Sequence, residues 1–165
     1  MVVQDALKNV VSKVQKELSF DNITFQYSTM NEFIQLLSNI KDDNYKYPFF
    51  FVHSIGVDVD NSNFDTIVTV SDILIAGDSR KDWERTERDE KVFKPFLNRI
   101  YDTFLEEMRY DRNIEIVKRG SVVNHYFYGD TGVEGYDGAK FPDHVDVKQL
   151  RNFQFRILKN NNCKK

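Results

Sequence analysis

Phe49, Phe50, Phe51 and Val52 follow one another without a polar interruption. Consecutive residues of a strand point to opposite faces, so such a run needs cover on both sides. The spacing predicts a strand over Tyr47–Ile55, with Pro48 near its start, where a missing ladder donor is tolerated. A polar stretch, Asp58 to Asn63, separates it from a second strand over Phe64–Ala76. That strand is rich in β-branched residues: Thr66, Ile67, Val68, Thr69, Val70, Ile73 and Ile75. Gly77-Asp78 is expected to close it.

Upstream, Leu7, Val10, Val11, Val14 and Leu18 recur at helical intervals, with Lys8, Lys13, Lys16 and Glu17 opposite. Ile23, Phe25 and Tyr27 alternate with polar residues, as in a half-buried strand. Thr29 and Glu32 have capping-box spacing ahead of Phe33, Leu36, Leu37 and Ile40. Val92, Phe93, Phe96, Leu97, Ile100, Phe104, Leu105 and Met108 mark the best helix. Pro95 lies inside that pattern, so the helix either begins near Lys94 or is kinked there. Ile114–Lys118 and Val122–Tyr128 read as a strand pair around Arg119-Gly120-Ser121. Val145–Leu158 reads as a last strand with a bulge at Gln149-Leu150-Arg151.

The order α-β-α-β-β-α-β-β-β favours one α+β domain over 1–159. Its sheet is mainly antiparallel or mixed, with helices packed on one face. Residues 160–165 form a polar tail. At 165 residues, 41% hydrophobic and 30% charged, the chain suits one soluble globule with a sizeable core. Asp and Glu outnumber Lys and Arg by 26 to 23, for a net charge of −3, without the basic field of a dedicated nucleic-acid binder. No apolar run approaches the roughly 20 residues that span a bilayer, so no membrane partner is expected. The first residues lack the basic and apolar regions of a secretion signal. Cys163 is the single cysteine, which excludes a disulfide framework and a multi-cysteine zinc site.

Motifs that carry chemistry are weak. Asp58-Val59-Asp60-Asn61-Ser62-Asn63 begins like a calcium loop, but Asn63 and Thr69 stand where Gly and a bidentate Glu belong. Asp143, His144 and Asp146, with Lys148, raise a metal-dependent hydrolase. In an extended segment, however, Asp146 and Lys148 share a face that Asp143 does not. His53 and His125 read as structural histidines. No nucleophile–base pair emerges, so no enzyme activity and no cofactor are expected.

Gly129, Gly132, Gly135 and Gly138 recur every third residue, with neither a Walker nor a dinucleotide spacing. Together with Tyr128, Asp130, Tyr136, Asp137 and Phe141 they make a long loop suited to ordering against a neighbouring subunit. The mixed-charge segment 78–90 reads as a solvated loop and first helical turn. Within it Trp83, flanked by Arg85 and Arg88, is a candidate interface anchor.

Several stretches in order resemble small neck and tail proteins of tailed bacteriophages. They are Tyr47-Pro48-Phe49-Phe50-Phe51, Ile73-Leu74-Ile75-Ala76, Glu90 to Leu105, His125-Tyr126-Phe127-Tyr128-Gly129 with the glycine loop, and Asp143 to Phe153. The likeness spans about residues 23–158 and is to phages and prophages of gut Bacteroides-like bacteria (the crAss-like group). The fold looks like that of tail-terminator, or tail-completion, proteins. The resemblance implies a virion structural role: a homo-oligomeric ring, hexamer or dodecamer, made in the host bacterial cytoplasm. Such a ring caps the tail tube and joins the portal-associated connector, with genomic DNA passing non-specifically through its lumen. It carries over no catalytic residues. The alternative is an assembly adaptor or chaperone that binds tail or neck proteins. A ring needs two different patches on each subunit, and the 78–90 and 129–142 segments are expected to supply them. Deleting 130–138 should then abolish the ring and leave a folded monomer.

Overall fold

The computed structural model describes residues 3–40, 47–59, 65–126, 128 and 143–158. Helix α1 (Val3–Glu17) leads to strand β1 (Thr24–Tyr27) and helix α2 (Met30–Asn39). Strands β2 (Phe49–Val59) and β3 (Thr66–Asp78) follow, then one continuous helical rod. The rod starts as α3 (Arg85–Arg88), widens into a π-helical stretch (Asp89–Leu97) and continues as α4 (Asn98–Tyr110). Strands β4 (Ile114–Lys118), β5 (Ser121–His125) and β6 (Val145–Ile157) complete a mixed sheet. Its order is β1-β2-β3-β6-β4, with β5 also on β6. Among the described strands β1 and β2 run parallel, and the remaining pairs are antiparallel. The protein is an α+β domain.

Local signals explain most elements. Thr29 caps α2 by accepting from the Glu32 amide, and the Glu32 carboxylate accepts from the Thr29 amide, which makes the capping box. Pro95 does not start the rod. Its ring would clash with the carbonyl a turn behind in an ordinary α-helix, and the wider π turn accommodates it. Gly77 and Asp78 continue β3 rather than ending it. A methyl group on Gly77 would sit 2.7 Å from Val92, so the rod crosses the sheet at a closeness that only glycine permits.

Two cores lie on opposite faces. On one, α1, the π stretch and α4 cover Phe50, Val52, Val68, Val70, Ile73, Ile75, Leu150, Phe153 and Phe155. On the other, Phe33, Ile34 and Leu37 of α2 pack on Phe49, Phe51, Leu74, Ala76 and Val147. The expectation that all helices share one face therefore fails for α2. The apolar run at 49–52 needs cover on both sides, and α2 supplies the second cover. Phe33 lies stacked on Phe51 at 4.1 Å and edge-on to Phe49 at 4.6 Å.

Strands β4 and β5 do not form the expected hairpin. They lie end to end along β6, β4 against residues 154–157 and β5 against residues 147–151. Gly120 makes the join. It has φ of +72°, and a Cβ there would fall 2.0 Å from the Arg151 carbonyl oxygen.

Candidate functional site

A crease crosses the sheet at the level of Gly120. Ser54 (φ 56°) on β2 and Asn152 (φ 54°) on β6 also adopt left-handed backbone. The registers align both with Ser71 of β3, because pairing jumps from Val70 to Asp72 on each side of that strand. At this row the inward-facing parity flips in all three strands. Val52 gives way to Ile55, Val70 to Ile73, and Leu150 to Phe153. The bulge expected at Gln149-Leu150-Arg151 is not formed: β6 keeps an unbroken register with β3, and the broken alternation there comes from this phase change, which its neighbours share.

The crease divides the α2-side face. Proximal to it, the row Phe51–Leu74–Gln149–Val123 lies on or beside the α2 core. The next row is polar: His53, Asp72, Arg151 and Ser121. Gln149 gathers this region. Its amide donates to Asp72 at 2.5 Å, and its carbonyl meets His125 at 2.7 Å and accepts from Arg151 at 2.8 Å. Burial, followed by the nearby Asp72 carboxylate and opposed by Arg151, pushes the Tyr128 hydroxyl up to about 12.

Distal to the crease the same face carries two further rows, Gly56–Thr69–Gln154–Lys118 and Asp58–Ile67–Arg156–Glu115. Gln154 donates to Thr69 at 3.0 Å, and Arg156 to Glu115 at 3.0 Å. None of these residues belongs to the apolar core under α2. The opposite face of this band is backed by Val68, Val70, Phe153, Phe155, Ile157 and Ile114, under α1 and α4. Among the described residues the distal band is thus covered by helices on one side and left uncovered on the other.

Both edges of the band are open among the described residues. β1 pairs only with residues 49–52 of β2, which leaves the outer side of 53–59 without a strand. Val57 and Val59 there are 52% and 57% exposed. At the other edge, β4 and β5 pair only with β6. A groove of about 410 Å³ runs beside β4, lined by Arg109, Arg119, Glu115 and Val117.

The residues singled out from the sequence separate. Trp83 is half-buried against the helix-side core, with the Arg80 guanidinium 5.6 Å and the Lys91 ammonium 4.6 Å from its ring. Arg85 is exposed and stacks over Tyr126 at 4.7 Å, while the Tyr126 hydroxyl donates to Asp89 at 2.6 Å. Arg88 is 0% exposed, so as an interface candidate it is corrected: its charge is used inside the chain. It donates to Asp146 at 2.5 Å, to Ser79 at 2.5 Å, to the Trp83 carbonyl at 3.0 Å and to the Arg80 carbonyl. This clamp fastens the 79–83 turn and the start of the rod to β6. Tyr128 is also buried, beside His125. Gly129, Asp130, Gly132, Gly135, Tyr136, Gly138 and Phe141 lie outside the described residues, as does the 130–138 deletion.

The hydrolase candidates diverge. Asp143 accepts from the Tyr47 hydroxyl at 2.7 Å, and the His144 carbonyl accepts from the Ser79 amide. Asp146 is held by Arg88. Lys148, on the same face as Asp146, donates to Asn124 at 3.0 Å and sits over Tyr101 at 5.2 Å. Burial lowers the Lys148 ammonium below its ordinary value, against the pull of Asp102. Among the described residues no three His, Cys, Asp or Glu side chains converge on a metal position. His53 is half-buried beside Phe51 at the start of the open β2 edge.

The open band was missed in the sequence. Its signal was present: Val68 and Val70 are out of phase with Ile73 and Ile75, and Val57 and Val59 alternate beyond the covered run. No protein-family model matches the chain, and no curated protein matches it.

Proposed function

We propose that the chain is an architectural subunit of a tailed-phage virion, forming a ring of the tail-terminator kind at the head–tail junction. The observation that carries this reading is the distal band, backed by helices on one face and bare on the other. In a closed ring α1 and α4 lie outside, and the bare distal half of the α2-side face lines the bore. Its charged side chains balance: Asp58 and Glu115 against Arg156 and Lys118. A wet lining of balanced charge lets a polyanion pass without gripping it, because strong retention of DNA needs many uncompensated cations. The same balance argues against a sequence reader. The tail tube and the connector are the partners this role implies.

Negative-stain images of the purified chain should show annular particles. Mass spectrometry of purified virions of the encoding phage should find it in fixed stoichiometry. A chain present during assembly but missing from mature particles is an adaptor or chaperone, and that result overturns the ring.

A further inference from the structure

The open edges of the distal band occupy the same stretch of the sheet. Val59 is level with Ile114 through Thr66 and Ile157, and His53 is level with Ser121 through Asp72 and Arg151. Strand directions alternate across the band, so the β2 edge of one copy meets the β4–β5 edge of another in antiparallel sense. The edges also differ in charge. Beside the β2 edge lie Asp58 and Glu32, and the Thr29 amide and hydroxyl hold the Glu32 carboxylate below its ordinary value. Beside the other edge lie Lys118, Arg119 and Arg109, while the one acid in that groove, Glu115, is engaged by Arg156.

We infer that a second copy of this chain docks by strand addition, its β4–β5 edge completing the open 53–59 edge of β2. The contact is heterologous. Each copy keeps one edge of each kind free, so repetition closes a continuous band of sheet. Natural proteins protect exposed edges with lysine, proline or bulges. The β2 edge instead shows Val57 and Val59, with Asp58 between them and Gly56 ahead. The inference rests on the ring reading and specifies its interface.

The test is hydrogen exchange combined with mass photometry on the full chain. Assembly should slow exchange of the outward amides of 55–59 and of β4, while Val57→Lys with Val59→Lys gives a folded monomer by circular dichroism. Both valines are already more than half exposed, so the double variant leaves the core intact. Glu32→Arg or Arg119→Glu alone should each weaken association about tenfold at low salt, and the two together should recover it. Rings whose 55–59 amides exchange freely, or rings that survive the valine substitutions, overturn the strand pairing and leave the ring reading intact. A wild-type chain that stays monomeric at every concentration overturns both.

Discussion

Arg88 and Asp146 are both fully buried and bonded to each other, and each is costly to leave alone. Arg88→Met or Asp146→Leu should each destabilise the fold by about 3–5 kcal/mol in urea unfolding. The double variant should cost less than their sum by at least about 1 kcal/mol, because no unpartnered charge is then left inside. Tyr128 gives a pH signature of opposite origin. Its folded value is raised from 10.0 to about 12, chiefly by burial. Below pH 10 the stabilisation is fully present; as the pH climbs from 10 to about 12 the unfolded chain loses its proton first, and stability falls. Alkaline titration of tyrosinate absorbance, set against unfolding midpoints, should show this component, and Tyr128→Phe should remove it. Arg88 also marks where residue-level reading failed. In sequence it is one cation beside Arg80, Lys81 and Arg85, and nothing local separates the buried one from the solvated ones.

At the scale of elements, the crease governs the sheet. Gly120→Ala puts a methyl group against the Arg151 carbonyl at a left-handed φ and should cost about 3 kcal/mol or more. Asn152→Gly and Ser54→Gly relieve left-handed strain and should be neutral or stabilise by up to about 1 kcal/mol each in the same unfolding assay. A crease imposed by side-chain burial alone would reverse that ranking. Elements with a purely local signal were legible: the Thr29/Glu32 capping box, the stripe from Val92 to Met108, and the two long strands. The β4–β5 hairpin was misread because Arg119-Gly120-Ser121 has the composition of a turn. The glycine serves a close approach to β6 instead. Of the two starts that Pro95 permits, the rod takes the earlier one at Arg85, with its first turns charged on the outside and held from within by Arg88.

For the whole molecule, the two cores share β2, β3 and β6, since alternate residues of one strand belong to each. Heating should therefore give one cooperative transition by calorimetry, with no separate melting of the α2 layer. Subunits that associate only when folded are stabilised by mass action, so the midpoint should rise with protein concentration. The Val57→Lys/Val59→Lys variant should lose that dependence. A midpoint independent of concentration in the wild type would mean that the open band gains no partner.

Unaided, the amino-acid order determined what is periodic: the α+β class, most strand and helix positions, and a doubly covered strand at 49–52. Periodicity follows from backbone geometry, which each segment carries with it. The tertiary structure decided which face each helix covers, where the strands change phase together, which arginine is buried, and which half of the sheet stays open. Those are properties of neighbours in space, set by contacts between segments far apart in the chain, and no local pattern encodes them.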